Sequence, residues 1–436
     1  MKRRLTTYAA AVLAALASVL FFVRPAYAAT GLHISGRTIV EANGQPFVMR
    51  GINHPHAWYA SQTSSFAAIK AAGANSVRVV LSGGRWTTNT ASDVANVISM
   101  CKQNKLICVL EDHDTTGYGE DGAAYTLDQS VNYWIGLKSV LVGQEDYVVI
   151  NIGNEPIGNT NPAQWTSATT AAIQKMRTNG FQHLLMIDAP NWGQDWQFVM
   201  RDNAQTVLNA DTQHNTVLSI HMYAVFHTAA SITSYLDYFQ SRGWPLVVGE
   251  FGWQFAAGEV DDQTVMSAAV TRGIGYLGWS WSGNTDPILD MTTGFNPAQL
   301  TTWGQRIVNG TNGLKATAKQ ATIYGEGGGG PSTPPPTAGC AAAYTSIGQW
   351  NGGFQGEVKV TAGSAAINGW TVTLTFANGQ AVTQSWNATL TSNGATVTAR
   401  NAGYNGRLSA GATATFGFLG SWNGTNNAPT LSCTAS

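Results

Sequence analysis

The chain has 436 residues, of which only 11% are charged, and its formal net charge is −1. An average soluble domain carries roughly 25% charged residues, and a nucleic-acid-binding protein needs a basic surface that this balance does not supply. The 15 Trp, 14 Tyr and 15 Phe residues can bury a large core, which excludes a wholly disordered chain. Many aromatic side chains with little charge favour an uncharged polymeric partner such as a polysaccharide.

The first 28 residues have the pattern of a secretory signal peptide. A basic segment at 2–4 precedes an apolar run at 8–23, and Ala-Tyr-Ala at 26–28 provides a cleavage site. A transmembrane anchor is the alternative, but the run is shorter than the ~20 apolar residues that span a bilayer. We therefore expect a secreted, extracellular monomer with neither a membrane nor a nucleic acid as partner.

A linker divides the remaining chain into two domains. Residues 326–338 contain four consecutive glycines and then a proline-rich run, a composition that cannot bury a core. Residues 339–436 carry only four charged side chains and no His or Met. The composition changes at the linker, which predicts one domain over 29–325 and a second over 339–436.

The first domain alternates short apolar runs with helical stretches. We predict eight strands, whose starts lie 28 to 40 residues apart, the size of a strand–helix unit. These strands are 47–53, 76–81, 107–111, 147–152, 183–188, 217–222, 245–249 and 274–280. Eight such units predict an α/β fold, a (β/α)8 TIM barrel. A doubly wound sheet is the alternative, but the glycine-rich phosphate turn that usually marks that fold is missing.

The second domain has the alternating pattern of antiparallel strands. Residues 370–376 alternate apolar and hydroxyl side chains, a turn follows at Asn378-Gly379, and 413–418 repeat the alternation. This pattern predicts an all-β, immunoglobulin-like sandwich.

The four cysteines predict up to two disulfides, since the protein is expected to be secreted. Cys340 and Cys433 nearly bracket the second domain, and we pair them. Cys101 and Cys108 are then the remaining partners for each other. A metal site is the alternative, but neither pair has the C-x-x-C spacing that would indicate one.

Acidic side chains follow two of the predicted barrel strands. Glu155 comes after strand four and Glu250 after strand seven, and in this fold reactive residues lie at the carboxyl ends of the strands. Hydrolysis of a glycosidic bond needs such a pair, because one carboxylic acid protonates the leaving oxygen while the other attacks the anomeric carbon or activates water. Other acids, such as Glu120 and Glu145, are interpreted as solvated loop carboxylates.

Metal-dependent hydrolysis is the main chemical alternative. His54 and His56 after strand one resemble the paired ligands of barrel metallohydrolases. Such sites also need a Lys at the end of strand four and an Asp at the end of strand eight. This sequence has Glu155-Pro156 and Ser280-Trp281 there instead. We therefore expect no cofactor to be required for the chemistry. A separate acidic group, Glu259, Asp261 and Asp262, predicts a structural calcium site, with a solvated helix start as its alternative.

Seven motifs in order along the chain resemble glycoside hydrolase family 5, specifically its secreted bacterial endo-β-1,4-mannanases, over residues 32–324. They are 51–59 (GINHPHAWY), 76–80 (SVRVV), 113–115 (HDT), 151–156 (NIGNEP), 221–223 (HMY), 249–252 (GEFG) and 278–281 (GWSW). The resemblance implies a retaining mechanism, with Glu155 as the acid/base and Glu250 as the nucleophile. Retention predicts that the two carboxyl groups lie roughly 5–5.5 Å apart.

The resemblance also assigns the residues around this pair. It implies hydrogen bonds from Arg78 and Tyr223 to Glu250, a contact of Asn154 with the sugar 2-hydroxyl, a position for His221 near Glu155, and a −1 subsite made of His113 and Trp279. Arg78 lies inside an apolar strand, so its charge needs an anionic partner, whereas Glu155 is expected to lack a cationic neighbour and to stay protonated. Three further indoles beside strand ends are predicted to lie in the cleft: Trp58, Trp192 and Trp281.

Residues 339–436 resemble carbohydrate-binding module family 2. Four motifs carry this resemblance: 349–354 (QWNGGF), 368–370 (NGW), 382–386 (VTQSW) and 402–406 (AGYNG). It implies a flat strip of Trp350, Trp386 and Tyr404 that binds cellulose, with a hydrogen bond from Gln384. Trp370 lies in an alternating strand and is interpreted as a core residue.

Together these patterns predict a secreted enzyme that hydrolyses β-mannans, namely mannan, glucomannan and galactomannan, and that also binds cellulose. An endo-β-1,4-glucanase on the same scaffold and a non-catalytic polysaccharide-binding protein are the alternatives. The choice between mannan and glucan depends on how the −1 subsite accepts an axial 2-hydroxyl.

Overall fold

The computed structural model describes residues 31–255, 258–325, 339–363, 365–409, 412–424 and 426–436. The predicted signal peptide at 1–28 and the predicted linker at 326–338 lie outside these residues. The chain separates into two compact units, Met1–Gly328 and Gly329–Ser436.

The first unit is a closed barrel of eight parallel strands, as predicted. The described residues of this unit form eight barrel strands and two separate two-stranded sheets, β1-β2 and β10-β11. In chain order the strands are β1 (His33–Ser35), β2 (Thr38–Val40), β3 (Arg50–His54), β4 (Ser76–Leu81), β5 (Ile107–Asp112), β6 (Val148–Asn151), β7 (Leu185–Asp188), β8 (Thr216–Met222), β9 (Leu246–Phe251), β10 (Gln254–Phe255), β11 (Gly258–Glu259) and β12 (Gly275–Gly278). β3 to β9 pair in chain order, and β12 closes the barrel between β9 and β3. Every residue of these eight strands is buried, because helices cover the outside and side chains fill the inside.

Helices follow the barrel strands and cover the outside of the sheet. They are α1 (Ser64–Ala71), α2 (Ala91–Gln103), α3 (Leu127–Gly136), α4 (Lys138–Leu141), α5 (Gln164–Thr178), α6 (Val199–Ala210), α7 (Ala229–Ser241), α8 (Asp262–Arg272), α9 (Thr302–Asn309) and α10 (Leu314–Thr317). Local sequence sets where they begin: the Thr126 hydroxyl accepts from the Gln129 backbone while the Gln129 side chain accepts from the Thr126 backbone, a capping box at α3. Among the described residues no helix is both long and apolar enough to cross a membrane.

The second unit is a sandwich of two antiparallel four-stranded sheets, as predicted. Its strands are β13 (Cys340–Trp350), β14 (Gly353–Ala362), β15 (Trp370–Thr375), β16 (Ala381–Trp386), β17 (Ala388–Asn393), β18 (Thr396–Asn401), β19 (Thr413–Ser421) and β20 (Thr430–Ala435). The sheet orders are β13-β14-β19-β16 and β17-β18-β15-β20. Trp370 is fully buried and stacks on Phe416 with ring centroids 5.4 Å apart, which confirms that it is a core residue.

One of the two predicted disulfides is present. Cys340 and Cys433 are bonded, with Cα atoms 5.5 Å apart, and they join β13 of one sheet to β20 of the other. The pairing of Cys101 with Cys108 is wrong, because both are free and buried between α2 and β5. Burial and a hydrogen bond with Cys108 raise the pKa of the Cys101 thiol, which suppresses the thiolate that disulfide chemistry requires.

Candidate active site

The two predicted catalytic carboxylates meet at the carboxyl ends of the barrel strands. Glu155 lies in the loop after β6, and Glu250 lies near the end of β9. A carboxylate oxygen of each lies within 4.8 Å of one of the other. This separation agrees with the predicted retaining geometry, whereas an inverting pair lies ≈ 6.5–9.5 Å apart to leave room for a water.

Arg78 on β4 holds the Glu250 carboxylate from below. Its Nη1 donates to Glu250 Oε1 at 2.6 Å, and its Nη2 donates to Asp188 Oδ2 at 3.2 Å. Burial opposes the charge of Arg78, but the carboxylates of Glu111, Glu250 and Asp188 outweigh it and raise the pKa of the guanidinium. The remaining donors of Arg78 bind three amide oxygens, those of Asn53, Asn151 and Asn154. The buried cation predicted for an apolar strand therefore has its anionic partner.

Tyr223 and His221 complete the surroundings of Glu250. The Tyr223 hydroxyl donates to Glu250 Oε2 at 3.0 Å, as predicted. His221 Nδ1 lies 2.9 Å from Glu155 Oε1 and 3.5 Å from Glu250 Oε2, and its Nε2 lies 3.2 Å from Asp188 Oδ2. Burial opposes a charge on His221, but Glu250 and Asp188 outweigh it and raise the pKa of the imidazole to about 10.

The charge on His221 corrects one expectation from the sequence. Glu155 has a cationic neighbour, since an imidazolium lies 2.9 Å away. Even so, burial is the largest effect and raises the pKa of Glu155, Glu250 raises it further, and the hydrogen bond with His221 opposes both. The acid form of Glu155 is therefore favoured by desolvation and by the charge of Glu250 rather than by isolation from cations.

A cavity of about 490 Å³ lies above the two carboxylates. Its walls include five of the predicted binding residues: His113, Asn154, Trp192, Tyr223 and Trp279. The rings of His113 and Trp279 stack with centroids 5.7 Å apart. Trp58, 40% exposed, packs edge-on against His113 at 5.2 Å and so extends this wall.

Trp281 does not lie in the cleft, so that prediction is wrong. Its side chain is fully buried in the barrel core, and its backbone N–H donates to the Asn53 carbonyl at 2.9 Å. β12 ends at Gly278. In a continuing strand, side chains two residues apart point to the same face, which would put Trp279 and Trp281 together. Because the strand has already ended, this alternation does not extend to Trp281.

In the second unit, Trp350, Trp386 and Tyr404 are all exposed, by 51%, 37% and 76%. Each indole lies over a glycine of the neighbouring strand, Gly353 beneath Trp350 and Gly417 beneath Trp386, where a Cβ atom would overlap the ring. The indoles therefore lie flat on the sheet and turn their outer faces to solvent.

Two further residues adjoin these aromatic rings. Gln384 is exposed two residues before Trp386 on β16. The Tyr404 hydroxyl donates to the Asn387 side chain at 2.7 Å, which fixes its position beside the end of β16.

Comparison with known proteins agrees with both units. Residues 40–285 match the family model of cellulase (glycosyl hydrolase family 5), and residues 340–435 match that of the cellulose binding domain. The first match covers more than half of the chain. The chain belongs to glycosyl hydrolase family 5.

Similar proteins include two bacterial mannan endo-1,4-beta-mannosidases. The protein of Streptomyces lividans is 57% identical over 69% of this chain and 80% of its own length, and that of Cellvibrio japonicus is 49% identical over 70% and 72%. The crystal structure of the beta-mannanase from Streptomyces thermolilacinus with mannohexaose is 58% identical, with a TM-score of 0.68, over 68% of this chain and 99% of that one.

The predicted calcium group of the family 5 domain does not assemble. Asp261 caps α8 by accepting from the Thr264 backbone at 3.0 Å, Asp262 pairs with Arg306 at 2.7 Å, and Glu259 is exposed on β11. Each of the two aspartates is thus occupied by a structural partner.

A second group of side chains has its possible ligand atoms close enough together, within 4.8 Å, to coordinate a metal ion. Within the described part of the chain it consists of Glu155, His221 and Glu250. A charged His221 carries a proton on both ring nitrogens, so neither nitrogen has a lone pair for a metal ion.

Several residues that line or support the cleft are not predicted from the sequence as site residues. Asp188 ends β7 and holds both Arg78 and His221, and its pKa falls to about 2 because these two cations outweigh the effect of burial. Glu120, interpreted as a solvated carboxylate, accepts a hydrogen bond from Trp192 Nε1 at 2.8 Å. Trp196, half exposed on the same wall, donates to Asn159 Oδ1 at 2.8 Å.

Proposed function

We propose that this protein is a retaining endo-β-1,4-mannanase that hydrolyses internal bonds of mannan, glucomannan and galactomannan. The close approach of Glu155 and Glu250, within 4.8 Å, is the observation that carries the proposal. The names of the similar family 5 proteins support mannan as the substrate.

In the first step, Glu250 acts as the nucleophile and Glu155 as the acid. Glu250 Oε attacks the anomeric carbon, the bond from that carbon to the leaving oxygen breaks, and Glu155 gives its proton to that oxygen. Arg78 and Tyr223 hold one oxygen of Glu250 each, so the carboxylate is oriented before the sugar binds. The product of this step is a glycosyl ester on Glu250 and a shortened chain with a new hydroxyl end.

In the second step, Glu155 changes from acid to base. The ester on Glu250 is neutral, so the negative charge that raised the pKa of Glu155 is gone while the cation on His221 remains. The pKa of Glu155 therefore falls after the first step. Glu155 takes a proton from water, the hydroxide oxygen bonds to the anomeric carbon, and Glu250 leaves as a carboxylate, so the configuration is retained.

Four residues would bind the sugar in the −1 subsite or next to it. The Trp279 face provides an apolar platform for the ring beside His113, and Trp58 extends the wall. Asn154 accepts from Arg78 and donates to Thr116, which fixes the amide and leaves one N–H for the sugar 2-hydroxyl.

The experiment is a comparison of reducing-sugar release from linear mannan and from carboxymethylcellulose, together with NMR of the first anomer released. We expect hydrolysis of mannan and initial formation of the β-anomer. Preferential hydrolysis of carboxymethylcellulose would favour the endo-glucanase alternative, and an initial α-anomer would contradict the roles given to Glu155 and Glu250.

We also propose that the sandwich binds cellulose through Trp350, Trp386 and Tyr404, with Gln384 adding a hydrogen bond. The match to the cellulose binding domain and the flat, exposed indoles support this proposal. By holding the enzyme on an insoluble wall, the sandwich would raise its local concentration near the substrate.

Replacing both Trp350 and Trp386 with Ala should abolish retention on microcrystalline cellulose, because the variant loses the two rigid apolar faces of the strip. The rate on soluble galactomannan should stay within a factor of about two, because the variant changes no residue of the barrel and its catalytic site. A cellulose pull-down and a soluble-substrate assay on the same protein measure both. The control is Ile347→Ala, which removes an exposed apolar side chain from β13, the strand that carries Trp350. This variant should still be retained on cellulose. Undiminished retention of the double variant would show that another face binds cellulose.

The remaining proposals concern the whole chain. We propose that residues 1–28 are removed on secretion, that 29–325 form the catalytic domain, that 326–338 act as a linker and that 339–436 form the binding module. The disulfide between Cys340 and Cys433 supports an oxidising, extracellular location. The protein would act as a monomer and would need no cofactor, since Glu155 and Glu250 supply both acid and nucleophile.

A further inference from the structure

A second cavity, of about 300 Å³, adjoins the active-site cleft. Three residues line both cavities: Gln194, Trp196 and Val225. The two cavities are therefore neighbours that share one wall, and the Trp196 side chain belongs to it. We name the second cavity the side pocket.

The side pocket is closed at its base. Phe226 and Tyr235 line it and are almost fully buried, whereas Ser231 and Ser234 at the start of α7 bring hydroxyl groups to its edge. A pocket that is open at its mouth and closed at its base accepts the end of a ligand and not a continuing polymer. Its volume lies at the small end of the range found for ligand sites, ≈ 300–1,000 Å³.

The wall facing α7 is a loop with an unusual backbone. Four of its non-glycine residues have a positive φ: Asn191 (58°), Trp192 (54°), Asp195 (44°) and Phe198 (61°). Such conformations are costly for residues with a Cβ atom and concentrate at functional sites. The loop carries Trp192, which lines the active-site cleft, and Trp196, which lines both cavities.

Buried hydrogen bonds hold this loop in place. The Asp195 carboxylate accepts from the backbone N–H groups of Met200 and Arg201, at 2.8 and 2.9 Å, and from the Tyr235 hydroxyl at 2.6 Å. The loop is thereby fixed to the start of α6 and the middle of α7, so the side pocket is formed before any ligand arrives.

Trp196 offers the free aromatic face of the side pocket. Arg201 covers Phe198 at 3.7 Å and also lies over the Tyr238 ring at 5.0 Å, which occupies these faces. Trp196 remains 48% exposed, and its hydrogen bond to Asn159 fixes the ring. Beside it, Gln194 Oε1 accepts from the Val225 backbone, while its Nε2 has no partner among the described hydrogen bonds.

The loop that follows Glu155 links the side pocket to the leaving-group side of the cleft. Glu155 protonates the leaving oxygen in the proposed mechanism, so the leaving sugar lies beyond Glu155. Asn159, on the loop that follows Glu155, is hydrogen-bonded to Trp196. A leaving sugar bound beyond Glu155 therefore has Trp196 and the mouth of the side pocket next to it.

We propose that the side pocket is a branch subsite, which takes a single hexosyl unit attached to a backbone sugar on the leaving-group side. The closed base selects a terminal unit, the Trp196 face stacks on its ring, and Gln194 with Ser231 and Ser234 bind its hydroxyls. The α-1,6-linked galactosyl unit of galactomannan has this chemistry. The inference rests on the proposed mannanase function and adds the place where the branch of a substrate such as galactomannan binds.

The test fills the side pocket and compares two substrates. In Ser234→Trp the indole would occupy the space of the branch, so the ratio of kcat/KM for a galactosyl-substituted manno-oligosaccharide to that for the unsubstituted one should fall about tenfold. Ser241→Trp places the same side chain on the exposed end of α7 outside the side pocket, and its ratio should equal that of the unmodified protein. An unchanged ratio in Ser234→Trp, or the same fall in both variants, would overturn the proposal.

A binding measurement separates this inference from the proposed function. Saturation-transfer NMR of the branched oligosaccharide with Glu155→Gln should show contact at the galactosyl protons, and adding Ser234→Trp should remove that signal while the backbone mannosyl signals remain. Galactosyl protons without contact would refute the side pocket as a branch subsite. Failure of the unmodified protein to cleave either substrate would instead count against the proposed function.

Discussion

Replacing Glu250 with Gln should lower kcat on linear mannan by a factor on the order of 10⁴. The amide cannot form the glycosyl ester, and it loses the charge that the Arg78 guanidinium holds at 2.6 Å. Reducing-sugar release at saturating substrate measures the change. The melting temperature of the same sample shows whether the variant is folded.

The roles of the two carboxylates can be told apart by rescue with azide. In Glu250→Ala, azide should enter the space of the missing side chain and give an α-mannosyl azide, because it attacks from the face that Glu250 occupied. In Glu155→Ala the glycosyl ester still forms from a β-mannoside with an aryl leaving group, which departs without a proton, and azide should give the β-product. Identical anomers from the two variants would contradict the assignment of nucleophile and acid/base.

Replacing Arg78 with Met should reduce kcat/KM well beyond tenfold, which corresponds to more than ~1.4 kcal/mol of transition-state stabilisation. The Glu250 carboxylate would lose its shortest hydrogen bond, and three buried carboxylates would lose a shared cation. Breaking a buried ion pair costs about 3–5 kcal/mol, so the free energy of unfolding should fall too. Rates therefore have to be measured well below the melting temperature of the variant.

Two further variants show whether the geometry or the charge of Arg78 matters. Arg78→Lys keeps the charge but cannot make the forked contacts to Glu250 and Asp188, and we expect it to remain strongly impaired. Arg272→Met breaks an ion pair whose partner, Asp237, is mostly exposed, and should change activity little. A folded Arg78→Met variant with nearly full activity would show that Arg78 is structural.

The parts of the site that the sequence predicts are those with a strong local signal. Glu155 and Glu250 directly follow apolar strands, and Arg78 interrupts one, so each is a charge that burial makes costly without a partner. Asp188 carries the same signal, as an acid that ends the apolar strand β7, and the same reasoning could have found it. The barrel itself follows from strand-sized apolar runs at regular spacing.

Other features depend on contacts between distant residues. Trp279 and Trp281 look alike in sequence, and only the end of β12 decides that one lines the cleft and the other enters the core. Glu120 fixes Trp192, which lies 72 positions further along the chain. The spacing of Cys101 and Cys108 shows that they can be neighbours, but it does not show that burial keeps them as thiols.

The glycines beneath Trp350 and Trp386 make the flatness of the proposed cellulose-binding surface depend on residues that need not touch the ligand. A methyl group at Gly353 or Gly417 would overlap the indole above it and tilt that ring out of the plane. A glycine codon becomes an alanine codon by one nucleotide change. With cellulose bound by these indoles as proposed, a single point mutation in the sandwich would release the enzyme from the wall while the barrel kept its chemistry, so attachment and catalysis would be separately accessible to natural selection.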